Sequence, residues 1–205
     1  AKLLAENGRE VTLWVLEKEV ADDIRKNKVN STFLPGVNLP ENISVKTDYE
    51  NFENFELIIL VIPVNSTRDF LKRIQKSITS EHKVLCLSKG IELNTGKRVS
   101  QIIQEALPGF TNLGVLSGPN IANEIAAGKP ALSTVSSHSI EVSKQIQEYC
   151  SSPNFRIYTN PDMIGVELCG ALKNIIAIGA GICHQLNLGD NAIAALITRG
   201  IAEIA

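Results

Sequence analysis

Short apolar runs alternate with amphipathic stretches over the first three quarters of the chain, and only helical patterns follow. The clearest run is Leu57–Ile62, LIILVI, unbroken in the way expected of a strand covered on both faces, with Pro63 ending it. Lys83–Leu87 reads as a second buried strand. Val11–Val15, a short segment at Ile43–Lys46, Leu113–Leu116, Ala131–Val135 and Phe155–Tyr158 read as further strands. Helical patterns cover Ala1–Asn7, Glu17–Lys28, Thr67–Ile78, Arg98–Ala106, Ile121–Ala127 and Ile140–Cys150, with Gly8 and Gly128 placed as left-handed stops. FLPGVNLPENISV reads as a loop leading into the strand at Ile43. From Asp162 the pattern is a long apolar helix, Met163–Cys183, the loop Asn187-Leu188-Gly189, and a helix with Asp190 as its N-cap. Alternating strands and helices with buried strands predict an α/β fold built on a doubly wound, mainly parallel sheet. The domain boundary is expected near 160, giving an α/β domain over 1–160 and the start of an all-α domain over 161–205.

Composition narrows the function classes. Twenty Lys and Arg against 22 Asp and Glu give a net charge of −2 over 205 residues, which offers no electrostatic case for a nucleic-acid or anionic-membrane partner. Hydrophobic residues at 44% and charged residues at 20% are ordinary for a globular chain. Cys86, Cys150, Cys169 and Cys183 form no CxxC pair and match no zinc spacing, and His82, His138 and His184 are scattered. The expectation is buried reduced thiols in a cytoplasmic protein, with no metal. Met163–Cys183 is long enough to span a membrane. It carries Glu167, Lys173 and Asn174 near its middle, where a charge costs roughly 2.5–3.5 kcal/mol, so it reads as a buried helix of a soluble protein.

In an open α/β sheet, ligands sit beyond the carboxyl ends of the strands. The residues standing there are Leu16-Glu17, Pro63-Val64-Asn65-Ser66, Ser88-Lys89-Gly90 and Ser117-Gly118-Pro119-Asn120. Lys89, on local sequence alone, reads as a solvent-facing lysine. Lys173 lies inside GALKNIIAIGAG among small and apolar neighbours. Two readings stay open for it: a snorkelling lysine, or an amine tuned for proton transfer or anion binding. Gly170, Asn174, Ala177 and Gly181 form a stripe of small residues that admits a neighbouring helix or a ligand.

Several segments together resemble the NAD-dependent glycerol-3-phosphate dehydrogenases: VTLWVLE, FLPGVNLP, LIILVIPVN, LCLSKGIE, VLSGPNIANEIAAGKP, GVELCGALKNIIAIGAGI and LGDNAIAALITRGIAEI. The resemblance runs from residue 1 to residue 205. It implies a Rossmann-type sheet and reduction of glycerone phosphate (dihydroxyacetone phosphate) to sn-glycerol 3-phosphate by NADH, with the reverse oxidation by NAD. The product would supply glycerophospholipid synthesis and carbohydrate metabolism. Lys173 of the ALKN motif is implied as the proton donor, and Lys89 of the SKG motif lies near nicotinamide and substrate. Asn174 and Gly118 join the two lysines on the substrate side, while Leu16, Ser66, Lys89 and Ala122 fall on the cofactor side. Glu17 after Leu16 would repel a 2′-phosphate, so NAD is expected over NADP. The resemblance also implies a homodimer.

This sequence departs from the family pattern in two ways. His184-Gln185 stands where Asp-Gly is usual, in what reads as a turn after the catalytic helix. The family's opening strand with its GxGxxG turn, and its downstream aspartate and Arg-Asn pair, have no counterpart in the 205 residues. The chain therefore reads as a fragment, expected to be inactive and poorly folded alone, with the further strand belonging between Val11–Val15 and Leu57–Ile62. Alternative readings are a non-catalytic dinucleotide-binding relative and another two-domain reductase of the 3-hydroxyacid dehydrogenase type.

Overall fold

The computed structural model describes residues 1–48 and 52–204. In chain order the elements are α1 (Lys2–Glu6), β1 (Val11–Trp14), α2 (Lys18–Asn27), β2 (Val29–Asn30), β3 (Leu34–Asn38), β4 (Ile43–Lys46), β5 (Leu57–Leu60) and α3 (Val64–Ile74). There follow β6 (Lys83–Cys86), α4 (Val99–Ala106), β7 (Leu113–Ser117), α5 (Ala122–Ala126), β8 (Ala131–Ser137), α6 (Ile140–Cys150), β9 (Phe155–Asn160), α7 (Met163–Gln185) and α8 (Asp190–Ile204). The main sheet has the order β5-β6-β7-β8-β9 and is parallel except where β7 meets β8. A second, two-stranded parallel sheet pairs β1 with β4. The fold is therefore the mainly parallel, Rossmann-type α/β arrangement expected, followed by helices.

Side-chain alternation places a core on each face of the main sheet. Ile58, Leu60, Val84, Cys86, Leu113 and Val115 point into one, where α3, α4 and the start of α7 cover them. Leu85, Leu116, Val135 and Ile157 point into the other, under α6. Ile102 and Ile103 of α4 are wholly buried; each such side chain contributes roughly 1.5–3 kcal/mol of apolar burial. The expectation that LIILVI is covered on both faces holds for one. Ile58 and Leu60 are buried, Leu57 and Ile59 only half so, and Val61 is exposed.

Among the described residues no strand pairing joins β1 to β5, the place where the resemblance puts a further strand. The junction is aromatic instead. Trp14 stacks on Phe52 at 4.6 Å and meets Phe55 edge-on at 4.9 Å. Buried His82 braces the same corner: its Nδ1 accepts the Thr79 N–H at 2.9 Å and its Nε2 lies 2.9 Å from the Phe52 carbonyl.

Four expectations change. The segment read as a loop contains β3, which pairs antiparallel with β2. The helix expected from Thr67 starts at Val64, so Ser66 lies in its first turn rather than in a strand-to-helix loop. His184 and Gln185 are the last two residues of α7, not a turn beyond it. Of the four thiols, all free, Cys86 and Cys150 are buried, but Cys169 is exposed and Cys183 half-buried.

Candidate active site

The carboxyl ends of β5, β6 and β7 are tied together by local hydrogen bonds. Just past β6, the Ser88 hydroxyl donates to the Ile62 carbonyl and receives the Ile62 N–H at 3.3 Å, so the exits of β5 and β6 are held side by side. Lys89 follows at once. Its Nζ donates to the Gly118 carbonyl at 2.9 Å, bridging the exits of β6 and β7. The loop that carries Lys89 is closed by the Glu92 N–H bond to the Lys97 carbonyl at 2.9 Å and by pairing of Ile91 with Arg98. It is fastened to α3 by a two-pronged Arg68–Glu92 ion pair at 3.0 and 2.9 Å and by the Leu93 N–H on Asn65 at 2.8 Å, while within the loop the Thr95 hydroxyl donates to Glu92 at 2.6 Å. Arg68 and Thr95 hold the Glu92 carboxyl at a pKa of about 2.

Helix α7 lies across β7 and β8 and brings the second lysine. Asp162 caps it, accepting the Gly165 N–H at 2.9 Å. Gly170 is a point of close approach: a Cβ there would stand 2.5 Å from Ser117 Oγ and 3.8 Å from Lys89 Cγ. Gly118 is as tightly seated, since a Cβ there would lie 2.6 Å from the Leu132 carbonyl oxygen. Lys173 stands on the next turn and donates to its neighbour Asn174 Oδ1 at 2.7 Å. Partial burial, and then the positive charge of Lys173, lower the pKa of Lys89. The two cations thus share one neighbourhood.

The sequence-predicted residues fall into groups. Lys89, Gly118, Lys173 and Asn174 gather at the exits of β6 and β7. Leu16 stands exposed at the exit of β1, and Glu17 behind it is the N-cap residue of α2. Ser66 lies exposed in the first turn of α3, and Ala122 opens the five-residue α5. Lys173 is exposed. The stripe of small residues is divided in use: Gly170 seats against β7, Gly181 meets nothing within 4 Å, and Gly179, outside the stripe, takes Leu196 of α8. The expectation of a buried helix holds only for the start of α7. It is the one helix among those described that is long and apolar enough to cross a membrane, and Ile175, Ile178 and Ile182 are exposed on it. Its first half is packed on the α/β domain through buried Met163, Val166 and Gly170.

Sequence reasoning passed over one group. Glu167 of α7, a half-buried residue whose side chain is largely covered, accepts the Ser100 N–H at 2.8 Å and the Ser100 hydroxyl at 2.6 Å, and pairs with Arg98. The signal was available, since Glu167 was one of the residues that argued against a membrane span in this apolar stretch.

A family model described as NAD-dependent glycerol-3-phosphate dehydrogenase N-terminus matches residues 1–143, and one described as the C-terminus of the same enzyme matches residues 162–205. The chain belongs to the NAD-dependent glycerol-3-phosphate dehydrogenase family. It is 45% identical over 208 aligned positions to a protein of Bacillus pumilus named glycerol-3-phosphate dehydrogenase (NAD(P)+), and 42% identical over 206 to one of the same name from Fusobacterium nucleatum. All of this chain is covered in both matches, and it spans 60% and 62% of the length of those relatives. The solved glycerol-3-phosphate dehydrogenase of Coxiella burnetii superposes with a TM-score of 0.89 at 34% identity, covering 99% of this chain and 62% of that one.

A dinucleotide fits the residues present along the strand exits. Leu16, Val61 and Ile121 are all exposed apolar side chains standing after β1, β5 and β7, suited to ring faces. Lys89 and Lys173 bring positive charge to the exits of β6 and β7.

Proposed function

We propose that this chain carries the hydride-transfer site of a glycerol-3-phosphate dehydrogenase, interconverting glycerone phosphate and sn-glycerol 3-phosphate with NAD(H). The observation that carries this reading is the meeting of Lys89 and Lys173, with Asn174 and Gly118, at the exits of β6 and β7. The cofactor, when bound, supplies or takes the hydride. Everything else falls to the protein. Lys173, an ammonium held by the Asn174 carboxamide oxygen, gives a proton to the carbonyl oxygen of glycerone phosphate and recovers it in the reverse direction. Lys89 stays protonated on the Gly118 carbonyl and offsets negative charge growing on the substrate oxygen. Leu16, Ser66 and Ala122 face the cofactor side, with Lys89 shared between the two ligands. The reading extends to a homodimer and to supply of glycerol 3-phosphate for phospholipid synthesis and carbohydrate metabolism. It also includes a cytoplasmic location, which four free thiols support.

The test is Lys173→Ala in a polypeptide of the relatives' length that carries this chain. NADH oxidation dependent on glycerone phosphate should fall by about 10²–10⁴-fold, the usual worth of a positioned general acid. Turnover like that of the parent would remove Lys173 from the role.

A further inference from the structure

Helix α7 is joined to the nucleotide-binding half at a point that touches neither lysine. The Glu167 side chain is only 6% exposed, and its carboxylate takes three donors: the Ser100 N–H, the Ser100 hydroxyl and the Arg98 guanidinium. Arg98 adds a bond of 3.0 Å to the Ser100 hydroxyl, which closes the group on itself. Burial of a carboxylate is unfavourable unless such partners are supplied, and a buried pair of this kind fixes geometry more dependably than it adds stability.

The position of these donors gives the group its meaning. Arg98 and Ser100 form the start of α4, and Arg98 also ends the loop that Lys89 begins, through its pairing with Ile91. One end of the Glu167 contact is therefore the base of the Lys89 loop. The other end is α7, where Gly170 seats on Ser117 and Lys173 follows one turn later. Two fixed points, Glu167 and Gly170, set both the rotation and the axial position of the helix. An α-helix turns about 100° and rises about 1.5 Å per residue, so slippage by one residue would swing the Lys173 amine away from Lys89.

We propose that Glu167 is a positioning residue for proton transfer, holding α7 on the first turn of α4 at Ser100 so that Lys173 is set against Lys89. The proposal rests on the catalytic reading of Lys173 given above.

The experiment uses Glu167→Gln in a polypeptide of the relatives' length that carries this chain, beside Lys173→Ala and the parent. The glutamine amide sets an N–H₂ group against the Arg98 guanidinium, and Arg98→Met relieves that clash. Glu167→Gln is expected to lower kcat tenfold or more while KM for NADH changes less than twofold. Adding Arg98→Met should restore kcat to within threefold of the parent. A purely structural role would lower the denaturation midpoint and leave the kcat of the folded fraction unchanged. Ser100→Ala, which removes one donor and keeps the backbone N–H, is read if Glu167→Gln does not fold; a fall in kcat of about threefold at unchanged KM for NADH is expected. Parent-like kcat in the folded variant, or failure of Arg98→Met to restore it, overturns the positioning role. An inactive parent, or an active Lys173→Ala, overturns instead the reading on which it rests.

Discussion

Gly170→Ala tests the seat of α7 directly, because the added methyl has a known destination. Its Cβ would lie 2.5 Å from Ser117 Oγ, about 0.9 Å short of the 3.4 Å at which it would meet Ser117 Cβ in ordinary contact. Overlap of this kind in a packed site costs typically about 1–3 kcal/mol. Replacing glycine by alanine inside a helix returns about 1 kcal/mol. Gly181→Ala isolates the second effect: it lies on the same helix, exposed, with nothing within 4 Å of its Cβ. The helix preference cancels between the two variants, so Gly170→Ala should be less stable than Gly181→Ala by roughly 1–3 kcal/mol. Denaturant unfolding measures this as a lower midpoint at unchanged slope. Removing the hydroxyl with Ser117→Ala leaves only the 3.4 Å contact, so the double variant should recover most of the loss. Neighbours in contact typically show coupling of about 0.5–3 kcal/mol. Equal stability of Gly170→Ala and Gly181→Ala, or no recovery on adding Ser117→Ala, would refute a seat against β7.

Two further outcomes follow from charge. Because Arg68 and Thr95 depress the Glu92 carboxyl to about 2, its contribution to stability is fully present above the ordinary carboxylate value of 4.5 and is lost as pH falls toward 2. Glu92→Gln should flatten that acid limb of the denaturation midpoint while lowering the plateau at neutral pH; identical acid limbs in variant and parent would show the pair to be inert. At the exit of β1, exposed Leu16 is followed by the acidic Glu17, which would repel a 2′-phosphate. Steady-state kcat/KM in a polypeptide of the relatives' length should favour NADH over NADPH by about tenfold or more, and equal efficiency would sink this.

The elements legible in the sequence were those whose pattern is local. β6, α4 and α6 fall within a residue of expectation because periodic burial and Cys86, Ile102 and Ile146 in the core leave little freedom. β3 was hidden because it contains Pro35 and Gly36, whose turn chemistry dominates a local reading, although its partner β2 lies only a few residues upstream. The two lysines were visible as motifs and as oddities of charge. The family resemblance put both on the substrate side, but the residue pattern alone did not, since their meeting depends on a loop clamped to Arg68 through Glu92 and on a helix seated against Ser117 through Gly170. Glu167 shows the same limit most clearly. In the sequence it is a costly charge in an apolar run and argues only against a membrane. In the fold that cost is met by Ser100 and Arg98, 67 and 69 residues away. A buried charge records in the sequence that a partner must exist, and topology alone says which one. Here the partner is the base of the Lys89 loop, so the residue that kept α7 from reading as a membrane span also sets Lys173 beside its companion.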